Sequence, residues 1–194
     1  MLLTTPTVLE NEYVRLEPLD YAHADDLARA AAGLEHAWYT TVPTADSMTA
    51  DIAQRLQWQA NGNMNAWAVR RLDTNAVVGV TTFCNIDTAN RHVEIGHTWI
   101  GVGSQRTAVN TACKLLLLTH AFETCDVIAV EFRTHWHNSQ SRAAIARLGA
   151  KQDGVLRNHR LGPDGTLRDT VVFSILPGEW ATVRLGLQQR LLRS

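Results

Sequence analysis

The sequence predicts an α/β (α+β) domain built on one mixed, mostly antiparallel central sheet of about seven strands flanked by helices. Three observations carry this. Three strand-like runs, 65–72, 77–86 and 92–100, follow one another across the short turns "DTNA" and "DTANR", the pattern of an antiparallel meander. A long helical stretch then separates 92–100 from the next strand, 127–135, which calls for one parallel crossover. Near the end comes a hairpin whose turn, Gly162-Pro163-Asp164-Gly165, has the residues of a tight turn with a left-handed position.

The elements follow in order. "EYVRLEP" (12–18) is a short strand stopped by Pro18. Asp20 caps a helix to about Ala32, with Ala24, Leu27, Ala28 and Ala31 on one face. "GLEHAWYTTVPTAD" has no period and reads as a loop carrying His36, Trp38 and Tyr39. Asp46 starts a second helix to about Ala60, with Ile52, Leu56 and Gln59 at helical spacing. After the meander, a helix runs from near Thr107 or Ala108 to Glu123. "VIAVEFRTH" (127–135) is a strand, and "NSQSRAAIARLGA" (138–150) a helix with Ile145 and Leu148 buried and Gly149 at its end. The hairpin "GVLRNHRL–GPDG–TLRDTVVFSIL" and a helix from about Gly178 to Leu192 complete the chain. No repeat or low-complexity segment divides it, so residues 1–194 are expected to form one domain.

Composition narrows the function. Lys+Arg 18 against Asp+Glu 19 gives a net charge of −1 with no block of like charge, which argues against nucleic acid or an anionic membrane as partner. Cys84, Cys113 and Cys125 are odd in number and lie in apolar or amphipathic runs, as reduced core thiols of a cytoplasmic protein do. The start, "MLLTTPTVLENEYVRLEP", lacks the basic and apolar regions of a signal peptide. No stretch of about 18 apolar residues is long enough to span a membrane.

Several motifs bear on chemistry. "GVGSQR" (101–106) starts like a dinucleotide fingerprint, but Arg106 stands where the third glycine is needed and a meander precedes it. No P-loop occurs. "HWHN" (135–138) pairs two histidines without further ligands at matching spacing, so no metal is expected. "GVGSQRTAVNTACKLLLLTHAFE" (101–123) turns from a strand into a helix N-terminus. That is either an anion cradle, through unpaired N–H groups and the helix dipole, or simply a capped helix. Asn138 suits an N-cap, and Ser141 stands where it can bond back to the cap backbone.

Three stretches together resemble the GNAT superfamily of acetyl-CoA-dependent N-acetyltransferases: "VEIGHTWI" (93–100), "QRTAVNTACKLLLLTHAFE" (105–123) and "NSQSRAAIARLGAKQDGVLR" (138–157). The hairpin "RLGPDGTLRDTVVFSIL" (160–176) is similar to the ribosomal-protein N-terminal acetylase (RimJ/RimL-like) branch. The resemblance covers most of the chain from "YVRLEPL" onward. It implies a CoA groove between the strands at 92–100 and 127–135, held by Trp99, Ile100, Gln105, Arg106, Thr107, Ala108, Val109, Asn110, Thr111, Asn138 and Ser141. The superfamily's pyrophosphate loop reads Gln/Arg-x-x-Gly-x-Gly/Ala. Here Gln105 fits, while Ala108 and Asn110 replace the small glycines that let backbone approach phosphate. Alanine still donates its N–H, the Asn110 side chain can bond an anion, and Arg106 adds charge.

Acetyl transfer requires a neutral amine, a stabilised thioester oxygen and a proton for the departing sulfur. In the resembling branch a serine supplies that proton, which names Ser141; its other reading is a capping partner. Glu94, a carboxylate in an apolar strand, is the first candidate base, unless it faces solvent beside Arg91 or pairs with Arg133. His97 is the second, and alternation sets it on the opposite face from Glu94 unless a bulge intervenes. Trp38 and Tyr39, with Glu94, are expected at the acceptor pocket; the aromatics can equally close the core. The expected partners are acetyl-CoA and an amine acceptor, a protein N-terminus or a small molecule, and a homodimer stays open. The alternative is a non-catalytic acyl-CoA-binding regulatory module that keeps the fold; a third reading is a protein-interaction domain without a CoA site.

Overall fold

The computed structural model describes residues 2–34, 41–162 and 164–193. Eight strands form one sheet in the order β1-β2-β3-β4-β5-β6-β8-β7. They are β1 (Leu9–Glu10), β2 (Val14–Pro18), β3 (Met64–Arg71), β4 (Val77–Asp87), β5 (His92–Ile100), β6 (Ala129–His135), β7 (Lys151–Leu161) and β8 (Leu167–Ile175). Every pair is antiparallel except β5 with β6. The helices are α1 (Ala24–Ala31), α2 (Met48–Ala60), α3 (Ala108–Thr119), α4 (Ser139–Leu148) and α5 (Pro177–Leu191).

The mixed sheet and its single crossover match the sequence expectation, with one strand more. That strand, β1, has two residues, too few to show a period. It is turned by Asn11, whose Oδ1 accepts from the N–H groups of Tyr13 and Val14, both at 3.0 Å. Asp20 caps as expected, but onto a 3₁₀ turn, Tyr21–His23, from which α1 continues. The helix expected to reach Glu123 is α-helical to Thr119 and closes on a π turn, His120–Thr124. β7 starts at Lys151 rather than Gly154, because Lys151, Gln152 and Asp153 are exposed on an edge strand and give no apolar signal. Gly149 ends α4 at φ 103°, in the left-handed region, where an added Cβ would meet Val183 at 2.9 Å.

One face of the sheet is covered along its length by α3, α4 and α5, over a core that includes Trp67, Phe83, Val93, Ile95, Leu117, Val130, Phe132, Phe173 and Trp180. On the other face α1 and α2 cover only β3, β4 and the Trp99 end of β5, around Leu27, Ile52, Ala66, Val80 and Trp99. Each large side chain buried there contributes about 1.5–3 kcal/mol. On β6 and β8 the same face carries Glu131, Arg133, His135, Thr170, Arg168 and Ser174, with Val172 the one apolar residue among them, since Val130, Phe132, Val171, Phe173 and Ile175 point into the core opposite. Half of one sheet face is thus left polar. No helix among the described residues is long and apolar enough to cross a membrane.

Candidate active site

Two geometrical features converge at Glu94. First, β5 and β6 pair only at His92–Ala129, Val93–Val130 and Glu94–Glu131. Beyond Glu94, β5 stays bonded to β4 and β6 to β8, but not to each other. The sheet therefore opens into a wedge whose closed end is Glu94. Second, a bulge stands on each side of Glu94. The β4–β5 register shifts between Cys84 and Asp87, where Asn85 has φ 46°, and between Val80 and Thr82, where His97 has φ 46°. Bulges re-aim side chains, and these two aim Asn85 and His97 toward the face of Glu94.

Glu94 is buried. Its Oε2 accepts from Asn85 Nδ2 at 2.6 Å and lies 3.6 Å from Arg133 Nε. Arg133 bonds more closely to Glu131, at 2.7 and 2.9 Å, so it only partly compensates Glu94. Burial raises the Glu94 pKa, against the lowering effects of Asn85 and Arg133. The Arg133 contact anticipated from sequence is present; Arg91 instead pairs with Asp126.

His97 does not lie opposite Glu94: the bulge turns it toward α2, where its ring lies 5.9 Å from that of Trp58. The residue is exposed to solvent on its outer side. Protein packed round the ring, and then the guanidinium groups of Arg55, Arg160 and Arg168, hold its pKa down at about 4. His97 is thus a neutral imidazole at neutral pH. The bulge is gripped from both faces. Buried Arg55 on α2, paired with Asp51 at 2.6 Å, donates to the His97 carbonyl at 3.4 Å. From beneath, buried Lys114 on α3 donates to Thr98 Oγ1 at 3.0 Å, and Thr98 bonds Thr81 at 2.8 Å.

At the open end of the wedge the chain leaves β5 into the N-terminus of α3. Trp99 and Ile100 bury their side chains in the cores on opposite faces, so only their backbone borders the wedge. Gln105 turns its amide back onto the Ile100 carbonyl at 2.9 Å, which makes its side chain a loop brace. Arg106 is exposed at φ 60°. Thr107 caps α3, accepting from the Val109 N–H at 3.3 Å, and Ala108 starts the helix. Val109 is buried; Asn110 and Thr111 are half-buried in the first turn. A helix start of this kind presents N–H groups to an anion whether or not glycine is present.

At the foot of β6, Asn138 caps α4 by accepting from the Ser141 N–H at 2.9 Å. The expected return bond is not formed, because the Asn138 N–H goes to the His135 carbonyl at 2.9 Å. The Ser141 hydroxyl is left out of the cap. Thr107 and Asn138 thus cap the two helices that leave the wedge strands.

The fold is shared with known proteins. Residues 14–151 match the model of the acetyltransferase (GNAT) domain. The chain belongs to the GNAT acetyltransferase family. A Bacillus subtilis protein named as a ribosomal N-acetyltransferase, YdaF, is 30% identical over 118 residues, 61% of this chain and 63% of that protein, so the match spans less than two thirds of its length. A Thermus thermophilus structure described as an acetyltransferase superposes with a TM-score of 0.84 at 31% identity, covering 96% of this chain and 98% of the other. Mycobacterium smegmatis RimJ, solved with CoA-disulfide, shares the fold with a TM-score of 0.79 at 21% identity, over 96% of both chains. The family is the one that the sequence resembles.

Within this GNAT domain the structure brings Glu94 and His97 onto one face of the wedge, and places Asn138 and Ser141 at its β6 side. Trp38 and Tyr39 lie outside the described residues. A cavity of about 520 Å³ between α4 and α5, lined by Arg147, Lys151, Glu179 and Thr182, lies on the far side of the sheet and holds none of these groups. Among the described residues no three His, Cys, Asp or Glu gather as a metal site, and His135 Nδ1 already accepts from the His137 N–H at 3.0 Å. Sequence reading missed Arg55, Asn85 and Lys114. Arg55 and Lys114 each fall on a buried helical stripe, Arg55 three residues from Ile52, and that position was the available signal. Asn85 acts through a bulge that no pattern announces.

Proposed function

We propose that this protein transfers an acetyl group from acetyl-CoA to a primary amine by direct attack in a ternary complex. The observation that carries the reading is Glu94: a buried carboxylate with a raised pKa at the closed end of the wedge. In this reading the first-turn N–H groups of α3, with Arg106 and Asn110, hold the pyrophosphate. The unpaired edge of β5 holds the pantetheine chain, with Asn138 opposite. Glu94 takes a proton from the acceptor amine, directly or through one water. The nitrogen bonds to the thioester carbonyl carbon, the carbon–sulfur bond breaks, and Ser141 supplies the proton that leaves CoA as a thiol. An α-amino group, with a reference pKa of about 8, needs only this weak base, whereas a lysine amine at about 10.4 needs more help. His97, neutral above about pH 4, is better suited to shaping the acceptor side than to holding a charge.

The acceptor is a protein N-terminus or a small amine, and the three free cysteines suit a reducing cytoplasmic setting. Ala108 and Asn110, in place of the small loop residues, favour one other reading, an acyl-CoA-binding module without turnover. A thiol-release assay with acetyl-CoA over free-N-terminus peptides and small amines separates them. Turnover with any amine supports the transferase. A thermal shift with acetyl-CoA but no turnover across the panel supports the binding module, and no shift at millimolar acetyl-CoA rejects both.

A further inference from the structure

Among the described residues, two arginines on the polar face of the sheet have no ion-pair partner. Arg160 on β7 stands directly opposite Arg168 on β8. Like charges directly opposite on antiparallel strands repel, so a fold gains nothing from this pairing by itself. The acids nearby are engaged elsewhere: Glu131 and Glu94 with Arg133, and Asp169 with Arg157 and the Asn158 N–H. Among the described residues no carboxylate pairs with either arginine. The Nε of Arg168 is buried with no hydrogen-bond partner, a condition that costs stability when no ligand satisfies it. Alternation along β8 sets Arg168 on the polar face of the sheet, with Thr170 and His135. The fields of both arginines reach Glu94 and His97.

We propose that Arg160 and Arg168 form an anion subsite for the acceptor, binding a carboxylate or phosphate group carried on the molecule whose amine Glu94 receives. This rests on the acetyltransferase reading. It adds a substrate class: anionic amines, either small amino acids and amino phosphates or peptides with an acidic residue next to the N-terminus. A guanidinium fork binds such oxygens bidentately, and the repulsion between the two arginines is relieved when an anion lies between them.

The test uses the full chain and its Arg160→Gln and Arg168→Gln variants. Thiol release is measured on matched acceptors: peptides starting Ala-Asp or Ala-Asn, and small amines with a carboxylate, a phosphate or a neutral amide. The expected result is a preference of about 10- to 100-fold in kcat/KM for the anionic member of one set, falling to a few-fold in either variant. Which set shows it distinguishes peptide from small molecule. Equal rates within every pair, or a preference that survives both substitutions, overturns the subsite. Thermal shift with inorganic phosphate is the second arm, and its readout is the difference between wild type and variants. A shift lost in Arg168→Gln supports the subsite even where no acceptor reacts, and an unchanged shift overturns it. Acetyl-CoA thermal shift is run alongside. Its absence rejects the acetyltransferase reading while the phosphate arm still decides the subsite.

Discussion

Glu94 and His97 stand three residues apart on β5 and face the same side of the sheet. Regular alternation forbids this. The extra residue between Gly96 and Trp99 permits it, and Arg55 and Lys114 hold that residue in place from α2 and α3. The bulge therefore sets two titratable groups of opposite habit on one face, a carboxylate with raised pKa and an imidazole with lowered pKa.

Glu94→Gln is expected to lower kcat by about 10²–10⁴-fold, the span of general base help. In the wild type, kcat/KM should rise with pH through a group titrating above the usual carboxylate value of about 4.3, because burial raises the Glu94 pKa. His97, neutral above about pH 4, adds no limb near neutrality. A pH profile of kcat/KM that is unchanged in Glu94→Gln removes the residue as base.

Ser141→Ala should lower kcat by about 10²-fold or more with little change in the KM for acetyl-CoA, since proton donation to sulfur belongs to the transition state. Its melting temperature should hardly move, because the hydroxyl lies outside the α4 cap. Asn138→Ala should instead lose about 1 kcal/mol of stability as a cap deletion. Melting curves measured beside kcat for both variants distinguish the roles.

Gly96→Ala tests the crowding round the carboxylate. A Cβ on Gly96 would lie 2.8 Å from both Cys84 Sγ and Glu94 Oε1. Overpacking of this kind costs about 1–3 kcal/mol, and relief by displacing the Glu94 side chain should lower kcat as well. Chemical denaturation and steady-state kinetics on one preparation check both effects.

Lys114→Met should stabilise the protein at pH 7. Burial lowers the Lys114 pKa from 10.5 to about 8. A lowered lysine pKa means that the unfolded chain binds more protons between those values, so wild-type stability rises with pH there. At pH 7 the ammonium is charged and buried, at a cost of about 3 kcal/mol. The advantage of Lys114→Met should accordingly shrink between about pH 8 and 10.5. Urea midpoints across that range give the sign.

Arg106→Gly should separate loop strain from ligand binding. Glycine accepts the φ of 60° found there, a conformation that costs an L side chain about 1–2 kcal/mol. The variant should therefore keep or gain stability while binding CoA about tenfold more weakly, through loss of a charge-assisted contact. Unchanged CoA affinity in titration calorimetry would return the loop to a purely structural role.

The wedge strands were legible in the sequence because their apolar runs and the long helix between them left one parallel crossover as the solution. The caps Asp20, Asn138 and the Gly149 terminus were legible too, since each depends on one residue type at one place. The bulges were not: Asn85 and His97 sit in runs that alternate acceptably, and only tertiary packing selects φ > 0 there. For the same reason Asn85 was invisible as a partner of Glu94, and Arg160 and Arg168 as neighbours. Their meeting depends on hairpin register, which a further shift between Leu156 and Arg160 sets.

The three-pair seam between β5 and β6 has a mechanical meaning. It divides the sheet into two blocks, β1–β5 and β6–β8–β7, which share a pivot at residues 92–94 and 129–131. On one side the blocks are lashed together: α5 packs along α3, and the Tyr13 hydroxyl bonds the Leu191 carbonyl at 3.1 Å. Across the pivot, on the face of Glu94 and Arg168, α1 and α2 stop short of the second block. Rotation about the seam is thus resisted by the α3–α5 layer, while among the described residues α1 and α2 add no such tie on the other face. In the proposed binding mode, a chain-like ligand held by both inner edges ties the two blocks together across that face, coupling occupancy of one half of the wedge to the position of the other.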